Sequence, residues 1–197
     1  MSLQIQRLSY QRIGQIADKF LSKYHPKLSL PIPIEEISEQ KLKLKILQEM
    51  NLKKEYDVDG FLTSDLTTIF VDFNLYMNFE NRTRFTIAHE IGHLILHGQL
   101  FKTLNINSVN DLNSFAEKLT DDEHGWLEYQ AYTFASHILV PKNLLFEEIK
   151  KRIGRVPKLE TTEVLAPIAQ DLLETFQVSG DVMLRRFQKE NIVKSDS

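Results

Sequence analysis

Residues 84–97 read Arg84-Phe85-Thr86-Ile87-Ala88-His89-Glu90-Ile91-Gly92-His93-Leu94-Ile95-Leu96-His97. The centre of this stretch is a His-Glu-x-x-His pentapeptide that contains His89, Glu90 and His93. On a helix this pattern is typical of zinc hydrolases, in which the histidines bind the metal and the glutamate acts as a general base. The stretch therefore predicts a metal-binding helix that needs a further ligand from elsewhere in the chain.

The spacing of the three residues suits this chemistry. Residues four apart on an α-helix lie about 40° apart around the axis and one turn apart along it. His89 and His93 therefore project side by side, and their imidazoles can share one metal ion. Glu90 lies about 100° from His89, near the metal but outside its inner sphere, where a carboxylate can accept a proton from water.

The polar residues of this stretch lie on one stripe of the helix, which spans about 100°. Between Phe85 and His97 the other positions are apolar or glycine, and the stripe contains Thr86, His89, Glu90, His93 and His97. A helix that is apolar over most of its circumference is buried, and buried ionisable groups are costly unless each is compensated. A divalent metal compensates them together. The alternative is a core helix whose histidines bond to backbone carbonyls and whose Glu90 pairs with a lysine or arginine.

A catalytic zinc site has three protein ligands and one position for water, so a third donor is needed. His97 continues the histidine ladder, but it lies about 6 Å further along the axis than His93. At that distance three imidazoles do not converge on one ion, so His97 is a neighbour of the site. The metzincin pattern requires Gly and His three and six residues after His93. Those positions hold Leu96 and Gln99, which excludes the metzincins.

The helical segment at residues 125–141 offers Glu128 as the third ligand. Glu128 shares a core-facing stripe with Ala131 and Ala135, and a carboxylate on such a stripe needs a partner. The two alanines permit the close approach of another helix, and Gly92 offers a matching gap. We therefore expect Glu128 to reach the metal, with an ordinary buried ion pair as the alternative.

Two further histidines flank Glu128. His124 lies one turn before it, but Gly125 intervenes, so His124 is a second-choice ligand or a loop residue near the substrate. His137 lies about 180° around the wheel from Glu128, and we expect it on the solvated surface.

Together these residues resemble the ImmA/IrrE family of bacterial metallopeptidases. The matching stretches are residues 84–94 with His97, and Glu128-x-x-Ala131-x-x-Phe134-Ala135 with Leu139 and Pro141. Weaker similarity covers residues 33–37, residues 59–62, Val178-Ser179 and Arg185-Arg186-Phe187. The resemblance therefore extends over about residues 5–190.

The resemblance implies a zincin-like fold, with His89, His93 and Glu128 as metal ligands and Glu90 as the catalytic base. It also implies a substrate class: helix-turn-helix transcriptional repressors of mobile elements or stress responses, inactivated by a single site-specific cut. One position departs from the family, which usually has Asn four residues after the ligand glutamate, where this chain has Tyr132. A phenol would orient a ligand histidine only over a longer reach.

The composition sets the class of protein. A chain of 197 residues that is 42% hydrophobic is long enough for one well-buried core and short for two full domains. Its net charge of −3 provides no basic field for nucleic acid. The absence of cysteine excludes disulfides and cysteine-based zinc sites. No apolar run resembles a signal peptide or a membrane span, so we expect a cytoplasmic protein without membrane contact.

The apolar periodicity predicts helix, helix, small sheet and then helices. An amphipathic helix begins near Ile5 and ends before Pro26, and residues 41–47 alternate as a half-exposed strand. Segments 61–63 and 67–72 flank Ser64-Asp65 as a hairpin. We predict an α+β fold in which a small three-stranded sheet packs on a mostly helical domain.

We expect two units along the chain. Residues 1–155 form the zincin-like metallopeptidase domain, and residues 156–197 form a C-terminal helical pair packed on it, with a frayed tail at residues 194–197. Within the first unit, a hairpin strand can offer its edge to an extended substrate, or it is purely structural. Residues 98–125 are predicted as a long polar connection with one short helix, able to lid a cleft. Its residues Asp121-Asp122-Glu123 are more typical of a solvated acidic turn than of a second metal site.

The C-terminal pair has a helix-turn-helix-like outline, with segments 165–176 and 180–187 and with Arg185 and Arg186 on the second helix. This outline makes a DNA-binding regulator a competing function. An acidic chain gives these two charges no electrostatic footprint, so packing or contact with a protein partner is favoured over DNA.

The sequence as a whole predicts a zinc-dependent endopeptidase that cuts a helix-turn-helix repressor at one site. A metal-stabilised regulator that binds the repressor without cutting it is the second hypothesis, and DNA binding is the third. The ligand set favours Zn²⁺, with Mn²⁺ and Co²⁺ as alternatives. An additional oxyanion donor is expected, with His97, His124, Tyr129 and Tyr132 as candidates.

Overall fold

A computed structural model describes residues 5–193 of the protein. The predicted frayed tail at residues 194–197 lies outside the described residues, as do residues 1–4. The helices of the described part are α1 (Tyr10–Tyr24), α2 (Ile34–Glu36), α3 (Leu52–Tyr56), α4 (Phe73–Asn78), α5 (Glu80–Phe101), α6 (Val109–Ala116), α7 (Asp121–Leu139), α8 (Lys142–Ile153), α9 (Thr162–Phe176) and α10 (Gly180–Lys189). The strands are β1 (Lys45–Glu49), β2 (Gly60–Leu62) and β3 (Thr68–Asp72).

The three strands form one sheet in the order β1-β3-β2. β1 runs parallel to β3 from the pair Lys45/Thr68 onward, and β2 runs antiparallel to β3 as the predicted hairpin. The central strand contributes fully buried Ile69 and Val71 to the core. The predicted α+β fold, a small three-stranded sheet with a mostly helical remainder, is therefore confirmed.

Helix α7 lies between α1 and α5, so both of its faces are covered. On the α1 side, Phe20 meets Phe134 edge to face with ring centroids 5.5 Å apart. On the α5 side, Ala131 and Ala135 are fully buried. This position makes α7 the central helix of the protein.

His137 is buried, which corrects the expectation of a solvated surface residue. Its ring packs at a tilt of 47° against the Tyr10 ring with centroids 4.7 Å apart, and a Cβ at Gly14 would lie only 2.8 Å from it. Burial lowers the pKa of His137 to about 3. The face of α7 opposite Glu128 is not solvent-exposed, because α1 covers it.

The first strand begins at Lys45, later than the alternation of lysine and apolar residues at 41–47 predicts. Residues Ile37–Lys41 form a π-helical turn that continues α2, and the Leu42 N–H donates to the Ile37 carbonyl at 2.9 Å. Lys43 then takes a left-handed conformation with φ 60°. The chain therefore changes direction before β1 pairs, and the alternation spans a helix end and a strand.

The connection after the metal-binding helix is shorter and more helical than predicted. Helix α5 continues to Phe101, α6 is capped by Ser108, and α7 begins at Asp121 after its cap Thr120. The acidic residues at 121–123 form the first turn of α7, where negative charge complements the helix dipole. Gly125 does not interrupt the helix, so His124 lies within α7 and is not a loop residue.

The C-terminal pair α9 and α10 is joined by a short turn, as the helix-turn-helix-like outline predicts. Arg186 is 1% exposed, and its guanidinium donates to the Val140 carbonyl at 3.0 and 3.2 Å and to Glu190 at 2.8 Å. Arg186 is a core residue, which removes half of the arginine pair that suggested DNA contact.

The division of the chain at residue 155 stays a prediction. Among the helices of residues 5–193, none combines the length and hydropathy of a membrane span.

Candidate metal centre

The predicted metal-binding residues meet at the crossing of α5 and α7. His89 and His93 lie one turn apart on α5, and their Nε2 atoms are 3.1 Å apart. Glu128 on α7 places Oε2 3.2 Å from His89 Nε2 and Oε1 3.4 Å from His93 Nε2. Two nitrogens and one carboxylate group from two helices therefore converge on one point.

These distances fit a tetrahedral ion. Zinc–nitrogen and zinc–oxygen bonds of about 2.0–2.1 Å place tetrahedral ligands about 3.3 Å apart. The two imidazole nitrogens are 3.1 Å apart, and each lies 3.2 or 3.4 Å from a different oxygen of the Glu128 carboxylate, so these distances lie close to that value. Within residues 5–193, His89, His93 and Glu128 form the group of side chains whose donor atoms are arranged to hold a metal.

The close approach of the two helices depends on a glycine opposite an alanine. A Cβ at Gly92 would lie 2.9 Å from the carbonyl oxygen and 3.0 Å from the Cα of Ala131. Both atoms belong to the α7 backbone, which cannot rotate away as a side chain can. The small residues that the sequence pairs across this interface therefore bring Glu128, one turn before Ala131, to the histidines.

We expect Gly92→Ala to separate α5 from α7 and to weaken metal binding. Overpacking of a core costs about 1–3 kcal/mol, which exceeds the gain of up to about 1 kcal/mol from the better helix propensity of alanine. We expect a net loss of roughly 1 kcal/mol in the free energy of unfolding and about a tenfold weaker Zn²⁺ affinity, comparable with loss of a supporting contact. Denaturant unfolding of the metal-free chain and competition with a chelator measure the two effects.

Gly125→Ala is the matched control, because a Cβ there meets nothing within 4 Å. This change should raise stability by roughly 0.5–1 kcal/mol through helix propensity alone and leave the metal affinity unchanged. If Gly92→Ala and Gly125→Ala raise stability equally and bind Zn²⁺ with equal affinity, then the packing of α5 on α7 does not require glycine at position 92.

Glu90 lies beside the three converging groups and is 6% exposed. Burial raises the pKa of its carboxyl group, against the opposing effect of His93 and His89, and the backbone N–H of Leu62 bonds to the carboxylate. Leu62 belongs to β2, so the sheet holds this side chain from the side opposite α7. A carboxylate with a raised pKa accepts a proton more readily, as a general base must.

The charges of the ligand group compensate one another in the chain itself. Burial alone would raise the pKa of Glu128, but hydrogen bonds with His89 and His93 outweigh it and lower the pKa strongly. Burial would lower the pKa of His89, but Glu128 and Glu90 outweigh it and raise the pKa. Without a metal, a proton on His89 therefore compensates the carboxylate, in the place where a cation would bind.

His97 lies behind the ligand group and is 7% exposed. Its Nδ1 is 3.1 Å from Nδ1 of His93, on the opposite side of that ring from the metal-facing Nε2. Burial, together with the neighbouring His93, lowers the pKa of His97 to about 3. His97 contacts His93 on the side that faces away from Glu128 and His89, and this place does not suit the predicted oxyanion donor.

The other three candidate residues have different positions on α7. His124 is exposed and lines the cleft in front of the ligand group. Tyr132 also lines the cleft, with Phe85 at 4.9 Å and the Arg185 guanidinium at 4.8 Å from its ring. The Tyr132 hydroxyl bonds to Ser136, one turn further on, and not to a ligand histidine. Tyr129 packs edge to face on Trp126 and is not part of the cleft wall that the described residues form.

A cleft of about 590 Å³ opens in front of the ligand group. Its apolar walls come mainly from α5, α6 and the first half of α7, and include Phe85, Phe101, Leu112, Phe115, Leu119 and Leu127. The strand β2 forms the opposite rim. A Cβ at Gly60 would lie 2.7 Å from Thr86 of α5, so the glycine allows the strand to lie directly against the metal-binding helix.

Arg84, the first residue of the quoted stretch, has a role that sequence analysis missed. Its guanidinium is buried and donates to Glu35 at 3.0 Å and to the Ile32 carbonyl at 2.7 Å. These bonds anchor the first half of α5 to the segment before the sheet. An isolated arginine gives no sequence signal for a partner so distant along the chain.

An α+β fold with two histidines on one helix, and with a carboxylate supplied by the next long helix, defines a protein with a group of side chains that could hold a metal ion. The chain belongs to the family described as Peptidase_M78, IrrE N-terminal-like domain, whose model matches residues 47–188. The resemblance to the ImmA/IrrE family is therefore confirmed.

A similar solved structure is a transcriptional regulator from Mycobacterium tuberculosis, with a TM-score of 0.54 and 15% sequence identity. The match covers 90% of this chain and 46% of that protein, so the chain spans about half the length of this structural relative. At this identity the likeness shows the fold alone. A search of curated proteins finds no match.

Proposed function

We propose that this protein is a zinc-dependent endopeptidase that makes a site-specific cut in a helix-turn-helix transcriptional repressor. The observation that carries the proposal is the convergence of His89, His93 and Glu128, with each imidazole Nε2 within 3.4 Å of one oxygen of the carboxylate, beside buried Glu90. Family membership supports the same class of activity.

Zinc is the proposed metal because of the donor types. Two imidazoles and one carboxylate are a usual protein ligand set for catalytic Zn²⁺, which leaves a fourth position for water. The same donors also bind Mn²⁺ and Co²⁺, but they bind these ions more weakly than Zn²⁺. When bound, Zn²⁺ supplies Lewis acidity, which lowers the pKa of water from 15.7 toward about 7 and polarises a peptide carbonyl.

Glu90 is the proposed proton carrier. Its carboxylate takes the proton from the attacking water and then delivers it to the amine of the leaving peptide. The Leu62 N–H holds the carboxylate in place from β2, and burial raises the pKa of the carboxyl group toward the range in which a base accepts a proton. Glu90 is not one of the three converging donors, so it is free for this role.

The edge of β2 is the proposed site for the substrate backbone. Thr63 N–H donates to the Thr68 carbonyl and Asp72 N–H donates to the Asp59 carbonyl, at 3.0 and 2.9 Å. Since alternate residues of a strand face alternate edges, the backbone groups of Gly60 and Leu62 turn away from β3. The Leu62 N–H bonds to Glu90, so the proposed pairing uses the Leu62 carbonyl and the Gly60 backbone groups. An extended peptide paired there would lie across the cleft, with its side chains against the apolar walls.

A repressor is the proposed substrate class because of the family to which the chain belongs. The structural relative is itself called a transcriptional regulator, which is consistent with a role in transcription for this fold. A transcriptional role for this chain, and the repressor as its substrate, are parts of the proposal.

The test is metal-dependent cleavage of a purified helix-turn-helix repressor, chosen first from any that the flanking genes encode. We expect the Zn²⁺-loaded chain to cut it at one bond, chelation to stop the cut, and added Zn²⁺ to restore it. Mass spectrometry of the products identifies the bond, and metal analysis measures the bound ion. A wild-type chain that holds no metal and leaves the repressor whole in Zn²⁺ or Mn²⁺ contradicts the proposal.

A further inference from the structure

The two ring nitrogens of His93 have different partners. Nε2 faces the metal position, 3.1 Å from His89 Nε2 and 3.4 Å from Glu128 Oε1. Nδ1 faces away from it and lies 3.1 Å from Nδ1 of His97. His93 is 5% exposed and His97 is 7% exposed, so this contact is closed to bulk water.

Metal binding determines where the hydrogens of this pair lie. A neutral imidazole has one N–H and one nitrogen with a free lone pair. If Nε2 of His93 gives its lone pair to a metal, the hydrogen of the ring is on Nδ1. The Nδ1–H of His93 then points at Nδ1 of His97, which must be the acceptor, and the hydrogen of His97 lies on its own Nε2.

The remaining nitrogen of His97 shows that folding alone does not require a histidine here. His97 Nε2 is buried and has no hydrogen-bond partner among the described residues. A buried donor without a protein partner costs free energy, and an apolar side chain of similar size would avoid that cost. The polar contact that His97 does make is the one to His93.

We propose that His97 is a positioning residue that accepts a hydrogen bond from Nδ1 of His93 and so holds His93 in the tautomer and ring orientation that bind the metal. The inference rests on the metal site of the proposed function and extends it to a residue that is not a ligand. Carboxylates and backbone carbonyls usually play this part for metal-binding histidines. Here the acceptor is a second histidine one helical turn further on, and Phe101 covers the His93 ring at 5.3 Å.

A matched pair of variants separates the acceptor from the packing. His97→Asn keeps an acceptor, because its amide oxygen is bonded to Cγ as Nδ1 is in histidine. His97→Leu has nearly the same size and no acceptor. Loss of a hydrogen-bond partner to a ligand histidine typically weakens metal affinity 10–100-fold. We expect a loss of that size for His97→Leu, and we expect His97→Asn to restore most of it.

Two readouts distinguish positioning from a structural role. The melting temperature of metal-free His97→Leu should equal or exceed that of the wild type, since the unpartnered Nε2–H is gone. Nitrogen NMR of the Zn²⁺-loaded wild type should place a hydrogen on His93 Nδ1 and show a scalar coupling across the hydrogen bond to His97 Nδ1. The wild-type spectrum tests the hydrogen bond between His93 and His97 directly, so this test does not depend on how either variant folds.

The outcomes separate this inference from the proposed function. Zn²⁺ binding by the wild type with an equal affinity for His97→Leu overturns the role of His97 and leaves the peptidase proposal standing. Absence of a coupling to His97 has the same meaning. A hydrogen on His93 Nε2 in the Zn²⁺-loaded protein would mean that this nitrogen does not bind the metal, and it would overturn both the inference and the proposed ligand set. A wild-type chain that binds no Zn²⁺ overturns both.

Discussion

Replacing Glu90 by glutamine should stop cleavage of the repressor and leave the metal in place. The amide has the size of the carboxyl group but cannot accept and deliver the proton, and general acid-base groups contribute typically about 10²–10⁴-fold to a rate. We expect kcat/KM to fall by roughly 10³-fold or more for this reason. Zn²⁺ affinity should stay near the wild-type value, because the Glu90 carboxylate is not one of the converging donors.

Glu128→Gln is the control for Glu90→Gln, since it is the same chemical change at a ligand position. An amide oxygen is a weaker ligand than a carboxylate, so this variant should lose cleavage and also lose metal affinity by more than the 10–100-fold typical of residues that only support a ligand. Single-turnover cleavage and competition with a chelator measure the two properties on the same samples.

Glu90→Gln also decides between the first two hypotheses for the function. If Glu90→Gln cuts at the wild-type rate, Glu90 is not the base. If the wild type releases the repressor from its DNA without cutting it, and Glu90→Gln does the same, the protein is a metal-stabilised regulator. Loss of both cutting and release in Glu90→Gln supports the peptidase.

Replacing Arg186 by methionine should cause the largest loss of stability. The guanidinium is buried against the Val140 carbonyl, the Tyr10 hydroxyl and Glu190, whose own side chain is 4% exposed. Methionine fills much of the volume but leaves the Val140 carbonyl without this donor and Glu190 with Lys142 as its remaining cationic partner. Breaking a buried ion pair by removing one partner costs about 3–5 kcal/mol.

Arg185→Met is the neighbouring control. Arg185 is exposed and its guanidinium lies over the Tyr132 ring, an exposed contact worth roughly 0.5–1 kcal/mol. Denaturant unfolding of the metal-free chains should therefore separate the two variants by at least about 2 kcal/mol. Similar small losses for both would mean that Arg186 is not the core residue described here.

The grouping of the candidate site residues can be predicted from sequence where the geometry is local. His89, Glu90 and His93 lie on one continuous helix, so the helical repeat alone relates them. The choice of Glu128 needed a second step, which was to find a carboxylate on the core-facing stripe of the next long helix. The small residues Gly92 and Ala131 then predicted how closely the two helices approach, and the structure shows that contact.

The errors share one cause. His137 was placed on the surface because it lies opposite Glu128 on the wheel, but α7 is packed by α5 on one face and α1 on the other. The burial of Arg186 is likewise not predicted, because its own helix shows only two neighbouring arginines in a helix-turn-helix-like outline. In both cases the side chain was judged from its own helix, without knowledge of what covers it.

The sequence by itself determined the His-Glu-x-x-His helix, the carboxylate on the second helix that meets its two histidines, and the family. These properties follow from residue types at helical spacing, which do not depend on the rest of the fold. Only the tertiary structure decided the contacts made across elements: Leu62 with Glu90, His97 with the distal nitrogen of His93, and Arg186 with Val140. Periodicity states which side chains share a face, whereas the packing of the whole chain decides what lies against that face.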